Sequence, residues 1–158
     1  MVQQTRPKGY FTLRSAGAFL IISGGFEVFS LTAAVPLFGD LRSGFVAVAY
    51  HTLFIAVFST MGIGLWRAAT WGYNAVIVGT AIFALDHVLY LTDDAARSVA
   101  MAEQTRAYTQ FLEGVDLQLI DQMVSSVTFI VLLCWIGFAV YVHLRRGYFQ
   151  GHEGIRKA

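Results

Sequence analysis

Charge is scarce in this chain. Charged residues make up 13% of the 158 and hydrophobic residues 56%, where soluble domains carry about 25% and about 45–50%. That balance is the composition of an integral membrane protein. The spans themselves use most of the chain, so no separate soluble catalytic domain fits, and function must reside in the bundle, its short loops or its partners. Cys134 is the single cysteine and lies in an apolar run, which excludes an intrachain disulfide and a cysteine-based metal site. The net charge of +1 leaves no basic surface of the kind nucleic acid requires.

Several motifs are also missing. The histidines show neither HxxxH nor ExxH spacing, and no glycine-rich nucleophile turn precedes Ser23, Ser30, Ser125 or Ser126. The Gly-x-Gly of "MGIGLW", residues 61–66, follows no strand, so a nucleotide loop fails on context and helix packing is its reading. The paired Gly- or Pro-broken spans that often mark transporter sites are absent.

What the chain does contain is apolar runs, at about 15–38, 44–66, 71–92 and 118–143, each near the roughly 20 residues a helical span needs. Lipid offers no hydrogen-bond partner, so each must be helical. The basic start and first apolar run read as a retained span rather than a signal peptide. Pro36 and Gly39 are expected to end it, and Trp66, Trp71 and Tyr73 around Arg67 read as an interfacial belt. The fold class is therefore all-α: a polytopic four-transmembrane-helix bundle in one domain, 1–147, with an outer amphipathic segment over 93–117. Within that segment Thr92 or Asp93 is the expected helix N-cap, and Tyr108, Phe111, Leu112, Val115 and Leu119 recur at helical spacing. The tail 148–158 is expected to be frayed, and His143 and His152 solvated.

Positive charge is uneven. Arg6, Lys8, Arg14, Arg67, Arg145, Arg146, Arg156 and Lys157 fall on one side and only Arg42, Arg97 and Arg106 on the other. The positive-inside rule then puts both termini in the cytoplasm, of a plasma membrane or a bacterial inner membrane.

Each span also carries polar groups. Ala16, Leu20, Ser23, Glu27, Ser30 and Ala34 form one stripe and Phe19, Ile22, Phe26 and Phe29 another, so Glu27 should face protein and the phenylalanines lipid. Span four aligns Gln118, Asp121, Ser125 and Thr128, and span three aligns Gly72, Ala75, Gly79, Ile82 and Asp86; the stripe of His51 with Ala47, Ile55 and Gly62 is less clean. His87 stands about 100° round the helix from Asp86, so Asp86 is the expected inward residue and His87 should look to one neighbouring helix.

Five ionisable groups, Glu27, His51, Asp86, His87 and Asp121, would thus line the outer half of one bundle. Each costs at least about 2.5–3.5 kcal/mol at the bilayer centre on insertion scales, which makes function the default reading. The plain alternative is a network that glues helices, but interhelical polar contacts average only about 0.6 kcal/mol and explain serine better than glutamate. Three functional uses remain open. His51 and His87 could ligate a haem, or with Glu27, Asp86 or Asp121 a metal ion. Glu27, Asp86 and His87 could relay protons, or serve as general acid and base on a lipophilic substrate. Ser30, Gln118, Ser125 and Thr128 would line the site. The expected partners are the lipid bilayer and a membrane-protein subunit or second copy, with no nucleic acid. An enzyme's pocket should open to lipid or to the outer surface, whereas a structural or relay network should be closed and fully paired.

Overall fold

The computed structural model describes residues 8–106 and 116–149. Five helices follow one another: α1 (Tyr10–Phe29), α2 (Phe45–Trp66), α3 (Thr70–Thr92), α4 (Asp94–Arg106) and α5 (Leu117–Leu144). Three helices, Phe45–Trp66, Thr70–Thr92 and Gln118–Leu144, are long and apolar enough to cross a membrane. α1 has 20 residues but carries Arg14 and Glu27, which make it less apolar than the other three. α1 packs along α2, α2 against α3, and α3 against α5.

The buried positions of α2 include Ala47, His51, Phe54, Phe58, Met61 and Leu65, a 4-3-4-3-4 spacing that places them on one stripe. α2 contains no Asp, Glu, Lys or Arg and is apolar all round, so neighbouring helices rather than its own polarity orient it. In α1 the stripe is Leu13, Gly17, Leu20 and Gly24, continued by Glu27. Phe19, Phe26 and Phe29 point away from it and are exposed. Bare apolar surface on this scale suits lipid far better than water.

Glycines set how closely the helices approach. A Cβ on Gly17 would fall 2.9 Å from the Gly62 carbonyl oxygen, and one on Gly72 would fall 2.6 Å from that of Gly64. The first contact joins α1 to α2 and the second joins α2 to α3 just beyond the turn between them. Backbone lies on both sides of each contact, so a side chain there cannot be accommodated by rotamer change alone.

The first apolar run is not one helix. α1 ends at Phe29, seven residues before Pro36, and residues 35–42 form an antiparallel hairpin, β1 (Val35–Leu37) and β2 (Asp40–Arg42), so the bundle is not purely α. Pro36 pairs opposite Leu41 in a two-stranded ribbon, where a missing N–H is tolerated. The two-residue turn, Phe38 at φ 53° and Gly39 at φ 78°, has positive φ at both central positions, as a type I′ turn demands. α4 packs against this hairpin, burying Ala96 and Ala100. Asp93 is its N-cap, accepting from the Ala96 N–H at 2.9 Å. The apolar stripe expected at Tyr108, Phe111, Leu112 and Val115 lies outside the described residues.

At the opposite end, residues Arg146–Phe149 form a 3-10 turn that buries Tyr148 and Phe149, each 2% exposed, so the start of the tail is docked rather than frayed. The Tyr148 hydroxyl donates to the Leu65 carbonyl at 2.7 Å. Burial raises its pKa above the ordinary tyrosine value, against a smaller lowering by Arg14. His143 is exposed, and its Nδ1 shares a hydrogen bond of 2.8 Å with the Tyr73 hydroxyl; His152 lies outside the described residues.

Gly72→Val should lower stability in detergent by about 1–3 kcal/mol, because overpacking against backbone has no cheap relief. Gly137→Val, with open space around it, should change it by less than about 0.5 kcal/mol. Thermal unfolding followed by circular dichroism checks the pair, and equal effects would contradict the close crossing.

Candidate functional site

The polar groups separate into three places rather than one cluster. The first is a clamp between α1 and α2, buried at His51 and partly exposed at Glu27. The His51 ring, 6% exposed, has its Nδ1 2.8 Å from Glu27 Oε2 and its Nε2 3.2 Å from the Ala33 carbonyl oxygen. A carbonyl only accepts, so Nε2 carries a hydrogen. The Nδ1 contact then holds one shared proton, on the ring or on the carboxyl. Both ring nitrogens are engaged within the chain, which leaves His51 no lone pair for a haem iron or a metal ion. Glu27 faces protein as its stripe implies, but it serves His51 and does not line the cavity described next.

That cavity is the second place. It has a volume of about 580 Å³ and is partly open, at the end of the bundle that carries the hairpin and the start of α4. Asp86 and His87 stand in its wall together with Tyr50, Tyr90 and Thr128, while Pro36, Leu37, Phe38 and Leu89 supply an apolar side. The Tyr50 hydroxyl donates to Asp86 Oδ1 at 2.9 Å. His87 Nδ1 donates to the Phe83 carbonyl at 3.1 Å, with Asp86 Oδ2 3.4 Å away. The proton on His87 is therefore on Nδ1, leaving Nε2 as the acceptor of the neutral ring. Its ring stacks on Phe83 at 3.8 Å between centroids, and Phe83 meets Trp135 at 4.5 Å.

Two expectations about α3 change here. The buried arc is Gly72, Val76, Gly79, Thr80 and Phe83, so the inward direction falls between Asp86 and His87 and both line the cavity. Ala75 and Ile82 instead border a separate apolar groove with Ala56 and Thr60 of α2. The reason is packing: Phe83 inserts between Phe54, Phe58 and Trp135, and a large ring outweighs small residues in choosing which face turns inward.

The third place is a clasp around Arg97. Its guanidinium pairs with Asp94, reaches Asp121 Oδ1 at 3.3 Å and donates to the Leu91 carbonyl at the end of α3. Burial pulls the guanidinium pKa down, but the two carboxylates outweigh it and hold the group above its ordinary value. Asp121 is thus remote in role from His51 and His87, with which it was expected to ligate a metal. Among the described residues no three His, Cys, Asp or Glu side chains are grouped to hold a metal ion. Gln118 joins Asp121 beside a shallow cleft, where Arg97 and Ser98 also lie. Ser125 Oγ is buried with no hydrogen-bond partner among the described residues, and Ser30 closes α1 through its backbone N–H on the Glu27 carbonyl. Thr128 alone of that lining set reaches the cavity.

Tyr50, Tyr90 and Arg97 were not found by the sequence reading. Tyr50 stands one turn before Phe54 at the edge of the inward stripe, and a phenol beside a membrane histidine was the available signal. Arg97 was the one cation at the start of an acidic loop, six residues after Leu91 at the end of a span. Comparison of the chain with protein-family models, with curated proteins and with solved structures finds no match.

Glu27→Leu should destabilise the protein by about 1–3 kcal/mol, the cost of stranding the buried His51 N–H. Phe26→Leu, at an exposed position, should stay within about 0.5 kcal/mol. A double-mutant cycle with His51→Ala measures the coupling, and its absence would contradict the clamp.

Proposed function

We propose that this chain is a four-span membrane protein whose hairpin-covered cavity binds a small amphiphilic molecule and holds it against Tyr50, Asp86 and His87. The observation that carries the reading is the contrast between the two histidine sites. The His51 ring is buried with both nitrogens engaged within the chain, as a structural element should be, whereas Asp86 and His87 stand in the wall of the cavity with acceptor capacity to spare. A carboxylate has about four acceptor positions, and Asp86 uses one on Tyr50 and a longer one on His87. The half-apolar lining beside these polar atoms is the usual make-up of a small-molecule site.

A continuous proton relay is less well supported. Tyr50 and His51 touch edge to face at 5.5 Å, but among the described residues no hydrogen bond links the Glu27–His51 clamp to Asp86. Acid–base chemistry on a bound molecule is the second reading, favoured by the 3.4 Å approach of Asp86 to His87. In it His87 Nε2 takes a proton from the bound molecule and returns the same proton at a neighbouring atom, while the Asp86 carboxylate beside Nδ1 stabilises the ring during the time it carries both protons.

Four spans follow if α1 crosses as well. Its 20 residues rise about 30 Å, the thickness of the hydrocarbon core. Lys8, Arg14, Arg67, Arg145 and Arg146 gather at the end where Gly9 meets Arg145, which in this reading is cytoplasmic and puts the cavity outside. The apolar outer faces would be covered by lipid or by a membrane partner.

Three measurements test this reading. Extracts of protein purified gently in detergent should contain a small amphiphile near one per chain by mass spectrometry, reduced about tenfold by Leu89→Trp, which fills the cavity. Metal analysis of the same samples, with His51→Ala and His87→Ala beside them, should show no histidine-dependent iron, copper or zinc; stoichiometric metal lost in both variants would replace the amphiphile reading with a cofactor. A reporter fused after Ala158 should be cytoplasmic, and an external signal would invert the cavity's side.

A further inference from the structure

The cavity's chemistry is lopsided, and the imbalance says what kind of head group it accepts. Its wall holds the carboxylates of Asp86, Asp93 and Asp94 and, among the described residues, no lysine or arginine. Arg97, the nearest cation by sequence, is outside the wall and already pairs with Asp94 and Asp121. One oxygen of Asp93 is used on the Ala96 N–H. Asp86 meets only the neutral phenol of Tyr50 and His87, whose Nδ1–H is shared with the Phe83 carbonyl. The side chain of Asp86 is 24% exposed, and its spare acceptor positions open on the cavity. Tyr50, Tyr90 and Phe38 place three aromatic rings around the same space, and ring faces attract a cation.

We propose that the molecule bound here is an organic amine, with a protonated ammonium head on Asp86 and an apolar body along Leu37, Phe38 and Leu89. This rests on the reading of the cavity as an amphiphile site and narrows it to one charge. An anionic head would face the carboxylates of Asp86 and Asp93, and Arg97, the cation paired with Asp94, already serves two carboxylates. An alcohol could donate to Asp86 but would leave its charge uncompensated in a half-apolar enclosure, where a charged partner is favoured. An inorganic cation would find too few ligands: no three of the described His, Cys, Asp and Glu side chains group around one point, and the apolar side of the cavity would remain unfilled.

The test is equilibrium dialysis of the full chain in zwitterionic-lipid nanodiscs against radiolabelled decylamine, 1-decanol and decanoate, with empty nanodiscs subtracting partition into lipid. Decylamine, a cation at neutral pH, should bind about tenfold or more tightly than decanol, and decanoate should not be retained. Asp86→Asn should bring decylamine down to the decanol level, and Leu89→Trp should abolish retention of both. Asp93→Asn keeps a helix-capping side chain and should weaken decylamine about threefold, which keeps the charge claim open to test where Asp86→Asn does not fold. Decanol bound as tightly as decylamine, with both lost in Leu89→Trp, would overturn the ammonium head and leave the cavity reading standing. Retention of none of the three above empty nanodiscs, or retention unaffected by Leu89→Trp, would overturn both.

Discussion

A buried imidazole with both nitrogens satisfied is the interaction on which the hairpin end of this molecule depends. Inside hydrocarbon no water can complete a half-made hydrogen bond, so a histidine there needs two partners from the chain itself. His51 takes one from the last turn of α1 and the other from the Ala33 carbonyl, just beyond the helix end. It thereby fixes not only how α1 lies on α2 but where the chain goes after leaving α1. That segment runs directly into the hairpin whose Pro36, Leu37 and Phe38 border the cavity.

The same requirement explains why the two histidines differ. His87 meets its Nδ1 requirement locally, on the carbonyl of Phe83 one turn back, and needs nothing from another helix for that. Its second nitrogen and much of the Asp86 carboxylate are left to face open volume. The clamp supplies rigidity and the neighbouring pair supplies unspent hydrogen-bonding capacity, which is the division expected where a rigid shell holds a binding group in place. The Arg97 clasp completes the arrangement from the other side by tying α4 to the ends of α3 and α5.

Legibility in the sequence followed the kind of information each feature needs. The inward orientation of Glu27 and the outward one of Phe19, Phe26 and Phe29 were readable from helical period alone, because α1 has one polar stripe. Asp93 was readable as a cap because capping is local. The break at Phe29 was not readable: residues 30–37 carry no charge, and hydropathy does not distinguish a continuing helix from a hairpin arm. Nor was the rotation of α3, where the small residues Gly72, Ala75 and Gly79 suggested one face and the packing of Phe83 chose another. The proximity of Asp121 to His51 was inferred from depth alone, and depth says nothing of azimuth.

By itself the sequence determined that the chain is dominated by long apolar helices, that its ionisable groups are few and sit among them, and that a single cysteine leaves no intrachain disulfide. These follow from composition and from the intrinsic 3.6-residue period, both local properties. Only the tertiary structure decided which of those groups meet: that Glu27 belongs to His51, that Asp121 belongs to Arg97, and that Asp86 and His87 share a cavity with Tyr50. Partner choice depends on helix rotation and on the path of the chain between helices. Those are set by packing between elements far apart in sequence, through glycine contacts and one large aromatic ring, rather than by any segment read alone.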